Sequence, residues 1–329
     1  MTSTNPKVSI IILSFNQSEY IDEAIKSVLS QTYQNLEIII SDNGSTDSTK
    51  EIILSYMNDQ RIIFLDYEEN LSISLRQNQA VNIATGEFIS LLYADDFYLP
   101  SKIAHQVQEF IPLSKEWGVV HGPGFELDEM QNMQQLIGST QAHGECLESL
   151  FEDYSDGFIN PISPLIRREA CIEFPLHEDI FSEGESVFFR IAMKYKFFYS
   201  STPLVVMRYH EKNMGKAIKK NIEMHLICLD RLEQNIDFPI TCQKYLNIYR
   251  SHIIFSNAWH CIRTNFEITW AKKIILKAIR FYPQSILSRK FIVGIIFILM
   301  PRPVIASANK MINLLLRKKY VAPLKDYYN

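Results

Sequence analysis

Four short apolar runs, each followed by a polar turn and all but the last then by a helical pattern, fill the first 93 residues. They constrain the fold of this chain more than any other feature. Lys7 to Leu13 is a β-branched run bounded by Pro6 and a polar loop, Ser14 to Ser18. Tyr20, Ile21, Ala24, Ile25, Val28 and Leu29 then recur at the spacing of an amphipathic helix. Leu36 to Ile40 is a second strand. After it, Ser48 and Glu51 are spaced as a capping box for a helix carrying Ile52, Ile53 and Tyr56. Arg61 to Leu65 is a third strand, Arg76 to Ala84 a helix ended by Thr85-Gly86, and Phe88 to Tyr93 a fourth strand. The order β-α-β-α-β-α-β predicts a mainly parallel, doubly wound α/β sheet. Its ligand should bind outside the carboxyl ends of the strands. Those ends are Ser14 to Asn16, Ser41 to Asn43, Asp66 to Glu68 and Tyr93 to Asp96.

Beyond Pro100 the pattern loosens. Val119-Val120 and Leu204 to Tyr209 read as strands, Asn160 to Arg168 as a crossing segment under the acceptor site, and Ser186 to Lys196 as a helix. From about Lys216 the chain reads as helical. These shifts divide it into a catalytic domain, 1–215, and a helical region, 216–329. With 47% hydrophobic and 21% charged residues the chain can bury a core. Five cysteines, an odd number with no CxxC spacing, argue against a disulfide framework or zinc knuckle and for reduced, cytosolic thiols. Met1 to Pro6 is short and polar, with no leader-like apolar stretch. No GxGxxG turn follows the first strand, which argues against a nicotinamide-dependent oxidoreductase.

Four stretches carry candidate chemistry. Asp42, at a strand end within Ser41-Asp42-Asn43-Gly44-Ser45-Thr46-Asp47, can accept the imide N–H of a uracil or thymine; an Asx-turn capping a helix explains the same residues. Tyr93-Ala94-Asp95-Asp96 sets two adjacent carboxylates at the fourth strand's end. A hard divalent cation would neutralise them and act as a Lewis acid toward a departing diphosphate; a solvated helix start is the alternative. Arg208 and His210 share one side of a strand, as a phosphate contact and a metal ligand, or as ordinary structural side chains. Glu183 and Glu185 begin a helix, where a carboxylate stays ionised as a general base needs, while Ser182 to Glu185 also fits a capping box.

Taken in order, these stretches resemble the family 2 glycosyltransferases of the GT-A fold, over roughly Pro6 to Asn213. Pro6 to Ile12 with Asn16 is similar to the family's opening strand and loop. Gln31 to Ile40 followed by Asp42 and Gly44 to Asp47 is its most recognisable stretch, and Arg76, Asn78 and Gly86 to Phe88 fit what precedes the metal motif. The resemblance implies an inverting transfer of a sugar from a nucleotide donor, UDP-linked by expectation, to a hydroxyl of a glycan or lipid-linked acceptor, in the making of a cell-surface polysaccharide. It implies that Asp42 binds the donor base with Ser14 and Asn16 lining the same pocket. Arg76 then faces the diphosphate or sugar, Asp95 with His210 holds Mn²⁺ or Mg²⁺, and Asp96 contacts the donor sugar or the metal's surroundings. Two positions depart from the family pattern. Tyr93 stands where the metal motif usually begins with Asp, and Gly184 where the catalytic Asp is expected. The base is therefore assigned to Glu185, then Glu183. A protein that keeps the nucleotide pocket without catalysis is the alternative that these departures favour.

The charge is uneven. Residues 271–329 hold twelve Lys or Arg and one acid, against a net charge of -4 for the whole chain. Phe291 to Met300 is an apolar run between Arg289-Lys290 and Pro301-Arg302-Pro303, and Ile312 to Leu316 precedes Arg317-Lys318-Lys319. Ten apolar residues are too few to span a bilayer, but a basic, apolar tail suits a peripheral position on the anionic inner face of a plasma membrane. A helical bundle packed on the acidic body is the alternative. The tail lacks the regular aromatic interleaving expected for nucleic acid.

Overall fold

Strands covered on both faces need apolar side chains toward both, and this explains why Ile10 to Leu13 and Ile38 to Ile40 show no alternation. In the computed structural model, β1 (Val8–Ser14) and β2 (Leu36–Asp42) are buried at all seven positions. The structure describes residues 5–287 apart from 129–132, 138–139, 153–157, 211–212, 214–216 and 265–266, together with Ile292, Val304 and Ser307. The described residues fall into two compact units, one of residues up to 210 and the other of residues from 213 onward.

The first unit is built on a seven-stranded sheet. Its further strands are β3 (Ile62–Asp66), β4 (Phe88–Tyr93), β6 (Trp117–His121), β9 (Leu165–Arg167) and β10 (Lys196–Tyr199), in the order β10-β6-β9-β4-β1-β2-β3. All neighbours are parallel except β9, which runs antiparallel to both β4 and β6. One face packs Val8, Ile10, Ile12, Ile38 and Ile40 against α1 (Ile21–Leu29) and α4 (Lys102–Phe110). The other packs Ile11, Leu13 and Ile39 against α3 (Ile73–Ile83). The sheet is doubly wound, as its order of elements predicts. Full burial of a Val, Leu or Ile side chain stabilises by about 1.5–3 kcal/mol, so these two faces supply much of the unit's stability.

The chain runs from β1 outward through β2 to β3, then returns to lay β4 on the other side of β1. This reversal beside β1 is the switch point at which such sheets open a crevice. A second, four-stranded sheet has the order β5-β11-β7-β8. Its members are β5 (Phe97–Tyr98), β7 (Gly124–Asp128), β8 (Met133–Ile137) and β11 (Val205–Tyr209). β11 pairs antiparallel with β5, just beyond the end of β4, and parallel with β7. Shorter helices complete the unit: α2 (Thr49–Leu54), α5 (Leu147–Glu152), α6 (Arg168–Glu173) and α7 (Val187–Ala192).

Several local expectations change. Ser48 makes no side-chain capping bond, so the Ser48–Glu51 box does not form; Asp47 Oδ1 instead accepts from Thr49 N at 3.0 Å. The helix expected from Arg76 starts at Ile73, where the Ser72 hydroxyl accepts from Leu75 N. Ser186 to Lys196 is not one helix: a 3-10 turn, Gly184–Ser186, leads into α7 and then β10 begins at Lys196. No side-chain bond of the Ser182–Glu185 capping type forms there.

The second unit is helical: α8 (Ile218–Glu233), α9 (Gln243–Thr264) and α10 (Ile268–Phe281), with 3-10 turns at Ile240–Cys242 and Pro283–Leu287. α9 packs on both α8 and α10. Among the described residues no helix is long and apolar enough to cross a membrane. The apolar run 291–300, apart from Ile292, and the basic segment 312–319 lie outside the described residues. All five cysteines are free thiols.

Candidate functional site

The register of the sheet brings the predicted strand ends to one edge. Ser14 is level with Asp42, Asp42 with Asp66, and Leu13 with Tyr93. Neighbouring strands lie about 4.8 Å apart, so the ends of β2 and β4, on either side of β1, are separated by about 10 Å. Asp42 and the Tyr93-Ala94-Asp95-Asp96 turn therefore open on the same mouth, at a distance that suits a base at one end and a phosphate or cation at the other.

At the β2 side the loops interlock. Asp42 accepts from Ser45 twice, Oδ2 from the backbone N at 2.9 Å and Oδ1 from the hydroxyl at 2.6 Å. The same hydroxyl accepts from Asn16 N at 2.8 Å, and Asn16 Oδ1 accepts from Thr46 N at 2.8 Å. Asn16 has φ 52°, a left-handed conformation that Asn tolerates. Gly44, at φ +81°, has no such alternative: a Cβ there would lie 2.9 Å from the backbone carbon of Glu69. Asp42 is 1% exposed, and its two bonded oxygens keep lone pairs for a further donor. Ser14 is buried beside it, with a hydroxyl that has no hydrogen-bond partner among the described residues.

Arg76 occupies a different place from the one expected. It is buried, and its three nitrogens reach protein acceptors: Nε to Asn43 Oδ1 at 2.8 Å, Nη1 to Gln79 Oε1 at 3.1 Å and Nη2 to the Glu69 carbonyl at 2.7 Å. Its guanidinium stacks 3.6 Å over the Tyr67 ring. Arg76 therefore ties the loop behind Asp42 to α3, which corrects its assignment as a group facing the donor phosphates. Asn43, not among the residues expected from sequence, completes this tie by exchanging bonds with the Leu71 backbone and donating to Asn70 Oδ1.

At the β4 side, Asp95 Oδ2 meets His210 Nε2 at 3.1 Å across 115 positions of chain. The His210 ring stacks on Tyr20 at 4.9 Å. Arg208 shares that side, with its guanidinium ion-paired to Glu23 and lying 5.4 Å from the Tyr20 ring and 5.1 Å from Phe97. Tyr20 and Glu23 thus place Arg208 in β11 and His210 just after it, a role visible only once the start of α1 and the end of β11 are neighbours. Asp96 Oδ1 accepts from Arg208 N at 2.9 Å. Burial and the charge of Asp95 push the Asp96 carboxyl well above the usual range. Burial, then the charges of Glu185, Asp96 and Asp95, hold the Tyr93 phenol protonated far above neutral pH. Asp95 and His210 offer one oxygen and one nitrogen to a cation. Among the described residues no group of three or more His, Cys, Asp or Glu is placed to hold a metal, so a cation held by these two would need further oxygens from substrate and water.

Glu183 and Glu185 are separated by the backbone. Gly184 has φ +56° with nothing within 4 Å of where a Cβ would stand, and this left-handed residue turns the two neighbours to different surroundings. Glu183 is buried. Its Oε1 and Oε2 accept from Arg190 Nη2 at 2.8 and 2.9 Å, and Oε2 also accepts from His177 N at 2.6 Å. A carboxylate locked this way has no reach to an acceptor hydroxyl, which corrects its candidacy as base. Glu185 is only partly buried, and its charge is felt by the Tyr93 phenol at the mouth. Burial raises its carboxyl above the ordinary glutamate range. The loop carrying both is fastened to α3, through Ser72 Oγ to the Ile180 carbonyl, Ser74 Oγ from Glu183 N, and Asn78 to both ends of the Leu176 backbone.

Solved structures share this architecture. The mannosyltransferase PcManGT of Pyrobaculum calidifontis, in complex with GDP-Man and Mn²⁺, matches with a TM-score of 0.59 at 14% identity, over 96% of this chain and 89% of that one. S. aureus TarS 1–349, in complex with UDP-GlcNAc, matches with a TM-score of 0.55 at 14% identity, over 85% of this chain and 91% of that one. The fold is the GT-A arrangement. In sequence, TuaG of Bacillus subtilis, whose name proposes a teichuronic acid biosynthesis glycosyltransferase, is 36% identical over 109 residues, 33% of this chain and 43% of TuaG. The chain spans 21% to 43% of the length of several curated relatives it matches. The model of Glycosyl transferase family 2 matches residues 9–173, half of the chain, and so takes in both the Asp42 loop and the Asp95 turn but stops short of Glu185 and His210. On that match, the chain belongs to glycosyl transferase family 2.

Proposed function

We propose that this protein transfers a sugar from a nucleoside-diphosphate donor to a hydroxyl of a glycan or lipid-linked acceptor, with inversion at the anomeric carbon. The observation that carries this reading is the placement of Asp42 and the Asp95–His210 pair on one edge of the sheet, about two strands apart. Asp42 accepts the imide N–H of the base, and the buried hydroxyl of Ser14 and the exposed amide of Asn16 flank it. A uracil donor suits this acceptor; the similar structures bind UDP-GlcNAc in one case and GDP-Man in the other. Arg76 and Asn43 keep the loop rigid before the donor arrives, so little ordering remains to be done on binding.

Asp95 and His210 would hold Mn²⁺ or Mg²⁺, which supplies Lewis-acid stabilisation of the departing diphosphate. Arg208, kept in place by Glu23 and Tyr20, adds positive charge at the same end. Asp96 orients the donor sugar and, through the Arg208 backbone, ties β11 to the turn after β4. Glu185 takes the proton from the acceptor hydroxyl as its oxygen forms the new bond to the anomeric carbon and the bond to the diphosphate breaks. Burial makes Glu185 a stronger base than a solvated glutamate, which favours proton transfer near neutral pH. The likeness to TuaG supports a role in a cell-surface polymer, and the reading extends to a peripheral position on the inner face of a plasma membrane. A non-catalytic nucleotide-sugar binder is the second reading, favoured by Tyr93 and Gly184. Loss of turnover in Glu185→Gln separates the two.

The test is a thermal-shift screen of UDP, GDP and TDP and their sugars, with and without Mn²⁺. Ligands that bind the folded state raise its melting temperature; at a hundredfold excess over Kd the gain is about 2.7 kcal/mol. A donor nucleotide that shifts the melt only together with Mn²⁺ supports the reading. No shift with any nucleotide would overturn it.

A further inference from the structure

The helical unit turns one strongly basic face outward. α10 buries Ala271, Ile274, Ile275 and Ala278, and exposes Lys272, Lys273, Leu276, Lys277 and Arg280 on the opposite side. At about 100° per residue these five fall within an arc of about 140°. The helix contains no acid, and among the described residues none of its four cations is paired with a carboxylate. A solvated helix face ordinarily mixes charges of both signs.

Large aliphatic side chains stand among and beyond these cations. Leu276, in the middle of the arc, is 67% exposed, and Leu287, in the turn that follows the helix, is 80% exposed. Buried Arg250 bonds Asp230 and Glu233 near the end of α8 and lies 5.2 Å from the Phe281 ring at the end of α10. The α8–α9 turn is thereby at the same end of the unit, where Ile236 is 97% and Ile240 88% exposed. The sequence continues from Leu287 into Arg289-Lys290 and another apolar run.

We infer that the outward face of α10 and the apolar end beside it dock on the anionic phospholipid surface of a membrane. Charge complementarity selects a phosphate-rich partner, and the aliphatic tips select lipid among such partners. Leu and Ile side chains enter the boundary between headgroups and acyl chains. On a nucleic acid they have no counterpart, because bases are held by aromatic stacking and phosphates by cations. The inference rests on the peripheral placement proposed above and is independent of the transfer chemistry.

The experiment is co-sedimentation of the full chain with phosphatidylcholine vesicles, with and without about a third phosphatidylglycerol, at low and at physiological ionic strength. The expected result is binding to the anionic vesicles at least about tenfold tighter than to neutral ones, and weakening with salt. Each cation near such a surface contributes about fivefold, so joint replacement of Lys272, Lys273, Lys277 and Arg280 by Gln lowers the partition coefficient by more than about tenfold. Replacing the three lysines by Arg preserves it. Leu276→Ser with Leu287→Ser weakens it without changing its salt dependence. Circular dichroism melts check that the variants fold. If the Gln variant does not, the Arg and Ser variants and the parent's salt dependence carry the test. No vesicle binding by the parent, equal binding by a folded Gln variant, or binding to single-stranded RNA but not to vesicles would each overturn the inference. The nucleotide-induced melting shift of the parent is recorded separately, so failure of the membrane surface and failure of the donor site remain distinguishable.

Discussion

Replacing Glu183 and Glu185 by Gln, one at a time, tests the order, Glu185 before Glu183, in which two neighbouring carboxylates are assigned as the base. Glu183→Gln removes a charge that takes three bonds from Arg190, between side chains that are 1% and 12% exposed. Breaking a buried pair by removing one partner costs about 3–5 kcal/mol; the amide keeps one acceptor oxygen, so about 3 is expected. Each kcal/mol moves the melting midpoint of a domain of roughly 150–250 residues by about 2–4 °C, so the midpoint falls by roughly 6–12 °C. Turnover measured well below that midpoint stays within about threefold of the parent, because Glu183 does not touch substrate; loss of a general base would instead cost about a hundredfold or more. Glu185→Gln does the reverse. It moves the midpoint by no more than about 2 °C, the usual range for a site without a buried partner, and lowers turnover by about a hundred- to ten-thousandfold. The acid limb of the parent's kcat/KM profile then lies above the ordinary glutamate value of about 4.3, because burial raises Glu185. The assays are paired melts and initial rates with a saturating donor. Full turnover by Glu185→Gln, or loss of turnover without loss of stability in Glu183→Gln, would refute the assignment of roles.

Three other outcomes are expected. Burial alone would raise the Glu37 carboxyl, but bonds from Ser9, Thr85 and Lys7 outweigh it and bring it down to about 2. A carboxyl depressed in the folded state contributes stability above its unfolded pKa near 4.5 that is lost as pH falls toward 2. Urea melts across that window should show a loss of roughly 3 kcal/mol that Glu37→Gln abolishes. Lys102 is fully buried, with Ser90 Oγ, Gln106 Oε1 and the Tyr98 ring about its amine among the described residues, and burial lowers its pKa far below that of a solvated lysine. The folded chain therefore binds fewer protons there than the unfolded chain, so parent stability rises with pH toward 10. Lys102→Met should raise the melting temperature at neutral pH and flatten that rise, and an unchanged slope would contradict it. Tyr93→Asp adds a second carboxylate to the cation's surroundings and should tighten Mn²⁺ binding to the donor-free protein, read by calorimetry; equal affinity would show that this position does not face the cation.

What the sequence revealed and what it hid have physical causes. β1 and β2 were legible because burial on both faces favours apolar runs such as Ile10 to Leu13 and Ile38 to Ile40, and the strands end at Ser14 and Asp42. The second sheet was only partly legible. β5 is two residues long and gains its meaning from pairing with β11 more than a hundred positions later, a non-local fact without a local signature. The surroundings of Arg76 were not legible because two of its three partners, the Glu69 carbonyl and the Asn43 amide, are brought to it by loops; nothing in the composition of a helix start reveals that. The sequence puts Glu185 before Glu183 without showing their surroundings, because these depend on one positive φ at Gly184, and a glycine in a sequence announces freedom without saying which way the chain turns.

The separation of Asp95 from His210 by 115 positions sets a timetable for the protein's birth. Synthesis proceeds from the N-terminus, so the edge bearing Asp42 is complete while β11 has yet to emerge from the ribosome. A nascent chain halted before residue 205 would carry the Asp42 loop and lack Arg208 and His210, which meet Asp96 and Asp95. On the donor-site reading proposed above, the end that takes the base is made first and the end that takes the phosphates later.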